Sequence, residues 1–435
     1  MNRADSAVAS EAAPRRTRPT NIRWSVIVIL FLFYTVNCID RASLSVALPT
    51  ISAEFLLEPA VQGLILSAFF WTYCLFQIPG GLAADKFGPR GVIGVAAAIW
   101  GAFTAFAGLA WNAVTLIIAR LGLGAFEAPY MPSASKLVSK WMPPKRRASG
   151  VTLIDSGAPL GSALGGLIVA GLITTTGSWR WSFVIIGLAT ILIGVGVYLY
   201  VRNTPGEHKL VNRAEEELIR TNEGELVVEE ERPGVSRATL VWMVVGRMGW
   251  AMVFWGLVTW GPNYLTDARG LDLAAMGFAT FLIFLCGAAG EILSGLLADY
   301  LQKRMNRNRA FKILFGGSGA LSLIALAMLP FVSDPGTAVT LLCIGVFFNL
   351  FGGLYWTIPG MLAKPDKVGL VGGVMNFAGT SSGIIVPIVA GLLVQFTGGY
   401  TAVLVYLAIC AAVYLVGSLS IDFEGKKQPK AAVHV

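Results

Sequence analysis

The chain has few charged residues for its length. Asp, Glu, Lys and Arg make up 13% of its 435 residues, whereas hydrophobic residues make up 55% and the mean hydropathy is +0.68. Soluble globular domains carry about 25% charged residues. These proportions exclude an ordinary soluble protein and indicate a chain that crosses a membrane many times.

Residues that build metal, disulfide and catalytic sites are also scarce. The two histidines, His208 and His434, lie outside the apolar runs, and the five cysteines are odd in number and scattered within those runs. Neither a disulfide framework nor a metal site is therefore expected. The chain also lacks the Gly-x-x-x-x-Gly-Lys-Ser/Thr loop that binds nucleotides, and it offers no nucleophile with a base. We expect no cofactor and no enzyme activity.

Long apolar runs are what the chain has in quantity. Twelve of them reach the roughly 20 residues that a membrane-spanning helix needs. One long hydrophilic break separates the first six from the last six. The predicted organisation is a cytoplasmic tail (1–21), a six-helix bundle (22–202), a solvated cytoplasmic linker (203–237), a second six-helix bundle (238–421) and a cytoplasmic tail (422–435).

Basic residues set the predicted orientation. With both termini in the cytoplasm, only Arg180 and Arg269 fall in loops on the opposite side, and three further arginines lie within spans. The net charge of +8 therefore follows from membrane topology and requires no nucleic-acid partner. We expect a multi-pass protein of the bacterial inner membrane.

Two pairs of opposite charges lie inside apolar runs. Asp40 and Arg41 are adjacent in the first span, and Arg120 and Glu127 are seven residues apart in the fourth, which places these two on one helix face. A charge at mid-membrane costs about 2.5–3.5 kcal/mol and usually faces a protein interior or a watery cavity. Adjacent residues differ by about 100° around a helix, so only one of Asp40 and Arg41 is expected to face such a cavity. The alternative is that this first pair lies at the end of its helix, among the headgroups.

A short motif recurs at the same place in each half. Gly81, Asp85 and Arg90 follow the second span, and Gly295 and Asp299 follow the eighth, the latter pair followed by basic residues. This spacing indicates an internal repeat. Glycine permits close helix packing, and the aspartate can accept from a helix N-terminus or pair with arginine. We interpret the motif as a conformational latch.

These features together resemble the major facilitator superfamily. The resemblance implies an all-α membrane protein, with twelve transmembrane helices in two six-helix bundles that rock around a midplane site, and a monomer. More narrowly, four stretches resemble the anion:cation symporter family, which includes sugar-acid permeases and the sialin and vesicular glutamate carriers. They are Asn37-Cys-Ile-Asp40-Arg41, Gln77-Ile-Pro79-Gly80-Gly81, Arg120-Leu-Gly-Leu-Gly-Ala-Phe-Glu127-Ala-Pro129 and Trp179-Arg-Trp181.

The resemblance also implies roles for individual residues. Asp40 and Glu127 match the family's proton-coupling acids, and Arg41 matches its arginine for the substrate carboxylate. Arg120 matches an arginine that interacts with the acidic site, and we expect it to contact substrate as well. A purely structural ion-pair network is the alternative for these four. Further positions match family residues that contact substrate: Tyr73, Trp356 and Asn376.

Other intramembrane charges have no assigned role. Arg247, in the seventh span, either holds a second carboxylate or anchors the helix near its cytoplasmic end, and the anchor is the favoured interpretation. Asp155 and Glu291 are further buried acids, and the position of Glu291 two turns before Asp299 predicts that it belongs to the latch. Where sugar-acid permeases commonly carry Asn-Ser-Ala-Gln, this chain has Ala158 in place of the glutamine. Because Ala158 cannot hydrogen-bond through its side chain, a less hydroxylated or aromatic carboxylate is favoured.

The sequence thus predicts a secondary transporter that imports an organic carboxylate with protons across the lipid bilayer. Two alternatives stay open at this point. One is a proton-driven exporter on the same fold, which would not need paired arginines. The other is a membrane sensor that binds its ligand without transporting it.

Overall fold

The structure, a computed structural model, describes residues 18–143, 146–221, 234–364 and 367–424. Most of the two predicted cytoplasmic tails and part of the acidic linker run, 222–233, lie outside these ranges. All of the residues predicted to form the site or the latch lie within them.

Twelve helices are long and apolar enough to cross a membrane, which confirms the predicted fold class. We number them α1–α12 in chain order. They are α1 (Ile22–Phe55), α2 (Pro59–Phe87), α3 (Pro89–Ala107), α4 (Ala113–Trp141), α5 (Ser149–Thr176), α6 (Trp179–Tyr200), α7 (Arg237–Ala268), α8 (Leu273–Gln302), α9 (Arg307–Phe331), α10 (Pro335–Leu362), α11 (Leu370–Thr397) and α12 (Thr401–Leu419).

The first six and the last six helices form two bundles that meet along three pairs of helices: α1 with α7, α2 with α11 and α5 with α8. Small residues allow the close approach of α5 to α8. A methyl group added at Gly166 would lie 2.8 Å from a side-chain carbon of Thr280 and 3.1 Å from the Gly277 carbonyl oxygen. Small residues at helix contacts are typical of membrane proteins, because they let backbones pack closely.

Four helices depart from regular α-geometry. α4 is interrupted at Pro129, which follows Glu127, and α5 at Ser156, which follows Asp155. α7 ends in a π-helical turn, and the middle of α10 is a 3₁₀ segment, Leu350–Thr357. Such irregular turns are frequent at functional sites, and broken helices are a common feature of the binding sites of transporters.

The linker was predicted to be solvated, but part of it is buried. A short helix, Arg213–Thr221, places the wholly buried side chain of Glu215 at the start of α1. The Glu215 carboxylate accepts hydrogen bonds from the backbone N–H groups of Ile22 (3.2 Å) and Arg23 (3.1 Å) and from the Arg23 guanidinium (2.9 Å). A carboxylate is stabilising at a helix N-terminus because it satisfies free N–H groups and opposes the helix dipole.

The bundle has two ends, which we call the tail end, where α1 begins and α12 ends, and the far end. The two halves are joined by hydrogen bonds at the far end. Asn263 Nδ2 donates to Gln62 Oε1 at 2.9 Å, and the Ala60 N–H donates to Gln395 Oε1 at 3.1 Å. The far end is therefore closed in this conformation.

Candidate functional site

A cavity of about 110 Å³ lies between the two halves. Helices of both halves contribute to its wall, including α1, α2 and α5 from the first and α7, α8, α10 and α11 from the second. Its charged lining residues are Arg41, Asp155, Arg247 and Glu291, and its aromatic ones are Tyr34, Tyr73, Trp250, Phe254, Trp255 and Trp356.

Arg41 and Glu127 form a buried ion pair at the cavity wall. Arg41 Nε donates to Glu127 Oε1, and Glu127 is fully buried. Among the described residues, the second oxygen, Glu127 Oε2, has no hydrogen-bond partner. The Arg41 guanidinium also lies over the Tyr73 ring, 4.6 Å from its centroid. Since Arg41 lines the cavity and Glu127 does not, the arginine lies between the carboxylate and the cavity.

Asp40 faces away from the cavity. It is fully buried, and it accepts hydrogen bonds from Trp100 Nε1 and Thr190 Oγ1, both at 3.0 Å. The two neighbours on α1 thus face different surroundings, as the rotation of about 100° between adjacent helical residues requires. Because α1 continues to Phe55, the pair lies well inside the helix, which excludes the headgroup alternative.

Arg120 is buried beside the pair but is not among the residues that line the cavity. Its guanidinium lies 5.2 Å from the centroid of the Phe69 ring, and the Arg41 guanidinium lies 5.1 Å from the same centroid. The structure therefore does not bring Arg120 to the surface where we expected it to contact substrate.

The other three residues predicted to contact substrate, Tyr73, Trp356 and Asn376, all line the cavity. Asn376 Nδ2 donates to Gln77 Oε1 at 3.1 Å, a contact that joins α11 to α2 across the two halves. Tyr73 is almost fully buried, whereas Trp356, in the 3₁₀ segment of α10, is 42% exposed. The structure therefore brings these side chains together with Arg41.

Arg247 lies in the cavity wall rather than at the end of α7, so the favoured anchor interpretation is wrong. Its side chain is 5% exposed, and its guanidinium lies 4.1 Å from the centroid of the Trp250 ring and 4.7 Å from that of Trp356. Glu291 also lines this cavity, so its assignment to the latch is wrong as well. The reason is that α8 extends to Gln302, which puts Glu291 several turns from the helix end.

The first-half latch has different partners from those predicted. Asp85 pairs with Lys136 of α4 at 2.6 Å, not with an arginine. Arg90 Nε instead donates to the Tyr198 carbonyl oxygen at 2.8 Å. The motif thus joins α2 to α4 and α3 to α6, all within the first half.

The latch glycines are not at close helix contacts in this conformation. A methyl group at Gly81 would lie 3.7 Å from Pro132, an ordinary van der Waals distance, and one at Gly295 would meet nothing within 4 Å. Asp299 is exposed, and no ion pair within the described ranges includes it. The predicted close packing is therefore absent from this part of the structure, and the latch role stays a prediction.

The aromatic wall on α7 was not among the features predicted from the sequence. Arg247, Trp250, Phe254 and Val258 all line the cavity. They follow one another at three- or four-residue intervals, which is the spacing of a single helix face. That periodicity is visible in the sequence, and it groups Arg247 with the aromatic rings of Trp250 and Phe254.

Comparison with known proteins identifies the family. The model of the Major Facilitator Superfamily matches residues 30–387. The chain belongs to this superfamily of membrane transporters, as the resemblance had implied.

Individual relatives within the superfamily are also similar to this chain. The chain is 34% identical over 425 residues to a D-galactonate transporter of Escherichia coli, with 93% of this chain and 95% of the relative covered. It is 32% identical over 383 residues to a hexuronate transporter of Bacillus subtilis, with 86% and 89% covered. The chain also superimposes on a solved bacterial homologue of the human lysosomal transporter Spinster, in an inward-facing and unoccupied conformation, with a TM-score of 0.73 at 20% sequence identity. The superposition covers 92% of this chain and 98% of the homologue, which shows that the two share a fold.

Proposed function

We propose that the chain is a proton-coupled symporter that imports an organic carboxylate by alternating access. It would act as a monomer in the inner membrane, with both termini in the cytoplasm. The similarity to transporters of galactonate and hexuronate, both carboxylates, supports the substrate class. The distribution of basic residues supports the orientation.

The observation that carries the proposal is the Arg41–Glu127 pair at the cavity wall. A guanidinium suits a carboxylate ligand because its planar fork can donate two parallel hydrogen bonds and keeps its charge. In this structure, Glu127 already accepts a hydrogen bond from one of these donors, Arg41 Nε. A substrate carboxylate and Glu127 therefore compete for the same arginine.

This competition couples substrate to a proton. Once the substrate holds Arg41, the fully buried Glu127 carboxylate would lose its ion partner, which is costly in a low-dielectric site. Taking up a proton removes that cost. By reciprocity, a proton on Glu127 frees Arg41 for substrate, so each ligand favours binding of the other.

The roles of the other acids and of the latch complete the mechanism. Asp40, fixed by Trp100 and Thr190 next to Arg41, is proposed as the second proton-coupling acid, and Arg120 as a cation that tunes the acidic site. The hydrogen bonds that close the far end join the two halves, so alternating access would break and remake them. The Asp85–Lys136 pair lies within the first half and would hold α2 against α4 while the halves rock.

The experiment is carboxylate uptake into proteoliposomes under an inward proton gradient. Wild type should accumulate label only with the gradient, Arg41→Ala should neither bind nor transport, and Glu127→Gln should still bind and exchange substrate without responding to the gradient. Glu207→Gln, which changes an acid of the linker, is the matched control. Gradient-driven uptake by Glu127→Gln equal to that of wild type would disprove the coupling role, and failure of the folded wild type to transport any carboxylate would disprove the function.

A further inference from the structure

The second half supplies the cavity with a cation, Arg247. Arg247 lines the cavity and is nine-tenths buried, yet no carboxylate of the described residues lies within 4.0 Å of it. Its Nη1 atom has no hydrogen-bond partner in the described part of the chain. A buried donor without a partner costs about 1–3 kcal/mol, so a ligand acceptor at this position would be strongly favoured.

Three hydrogen-bond donors of the cavity wall are engaged within the protein and are not free for a ligand. Ser162 Oγ donates to the Ala158 carbonyl (3.0 Å), Thr380 Oγ1 donates to the Asn376 carbonyl (2.9 Å), and Trp250 Nε1 donates to a carbonyl of α10 (2.6 Å). These lining donors are thus already used within the protein. A polyhydroxy acid therefore gains no hydrogen bond from these three donors, and its hydroxyl groups are left to the acids and tyrosines of the wall.

Flat aromatic side chains provide the rest of the wall. Trp250 and Phe254 stack with their centroids 5.7 Å apart, and Trp255 packs against Phe70 of the first half at 4.6 Å. These rings, with Trp356, offer faces and edges to a planar apolar ligand. An aromatic ring would therefore be bound better than a hydrated sugar chain.

We propose that this cavity binds an aromatic dicarboxylate, with one carboxylate on Arg41 and the second on Arg247. The inference rests on the proposed function, and it names the substrate class of that same site. Both guanidiniums line one cavity, one from each half, which is the arrangement that a ligand with two carboxylates requires. Asp155 and Glu291 line the same cavity, but neither forms an ion pair with Arg247, so its guanidinium is available to a ligand carboxylate.

The test is calorimetric titration of the full, detergent-solubilised chain with four ligands: benzene-1,4-dicarboxylate, benzoate, butanedioate and galactonate. Wild type should bind the benzenedicarboxylate about tenfold or more tighter than any of the others. Arg247→Gln should weaken binding of the benzenedicarboxylate by about 10- to 100-fold, the loss of one charge-assisted interaction, and leave benzoate within about twofold.

Two further variants make the test decisive. Arg247→Lys, which keeps the charge but loses the fork, should give an intermediate affinity, and it carries the test if Arg247→Gln fails to fold. Arg269→Gln removes an arginine that contacts Tyr264 at the far end, outside the cavity, and should change neither affinity.

Three results would overturn the inference. They are equal binding of benzoate and benzenedicarboxylate by wild type, equal weakening of both ligands in Arg247→Gln, and tighter binding of butanedioate or galactonate than of the benzenedicarboxylate. All three leave a carboxylate transporter in place. Failure of the folded wild type to bind any of the four ligands would instead count against the proposed function itself.

Discussion

Replacing Gly63 with alanine should shift the transporter toward conformations that are open at the far end. Gly63 lies on α2 at the contact between the two halves. A methyl group there would lie 3.1 Å from the Pro387 carbonyl carbon and 3.3 Å from the Ile388 Cα atom, both part of the α11 backbone. Carbon atoms at rest are about 3.5–4.0 Å apart, and a backbone cannot rotate away as a side chain can. Relief requires α2 and α11 to separate.

The size of the effect follows from the cost of overpacking. One extra carbon in a well-packed contact costs about 1–3 kcal/mol. Conformations in which the far end is open escape this cost, so the ratio of open to closed forms should rise by about 5- to 150-fold. Hydrogen bonds such as Asn263 to Gln62 resist the change, each with a net contribution of about 0.5–1.5 kcal/mol.

Double electron–electron resonance can measure the shift. Spin labels at Leu56 and Phe396, which are 87% and 80% exposed near the far ends of α1 and α11, report the separation of the two halves in a background without native cysteines. Gly63→Ala should enlarge the population at longer distance. Gly171→Ala is the matched control, since its methyl group would meet nothing within 4 Å. Indistinguishable distance distributions for Gly63→Ala, Gly171→Ala and wild type would refute the reasoning.

Three further substitutions test separate contacts. Glu215→Gln should lower thermal stability by about 1–3 kcal/mol, because it removes the charge of the buried carboxylate that caps α1 and pairs with Arg23, and an unchanged melting temperature would contradict this. Asp40→Asn should slow gradient-driven uptake with little change in substrate Kd, because Asp40 does not line the cavity; weakened binding at a normal rate would be the contrary result. Asp85→Asn should reduce initial transport rates without changing the melting temperature, because its pair with Lys136 is partly exposed and worth at most about 1 kcal/mol; an unaltered rate would remove the latch role.

Features that depend on one helix alone could be predicted from the sequence. The apolar runs predicted all twelve spans, and helical rotation predicted that Asp40 and Arg41 face different surroundings. The same reasoning placed Glu127 on a buried face of α4. These inferences need only the rise and rotation per residue of an α-helix.

Features that depend on the packing of two helices could not be predicted in this way. Nothing in the sequence around Glu291 shows that the 3₁₀ segment of α10 passes beside it, where Gly353 leaves room for its side chain. The partner of Asp85 could not be predicted for the same reason. Lys136 and the arginines close to Lys136 in the sequence carry the same charge, so charge alone does not select one of them. Interhelical distances decide such pairings, and helical periodicity does not contain them.

The two halves present their cations to the cavity in different states, and this difference suits a carrier. In the first half, Arg41 is neutralised by its ion pair with Glu127. In the second half, Arg247 is stacked against Trp250 and Trp356, which shield it without using its Nη1 donor. A ligand that contacts both arginines gains its full binding energy only when the halves are close together. Binding would therefore favour an occluded state, and the energy of the second contact is available to drive the rocking of the halves.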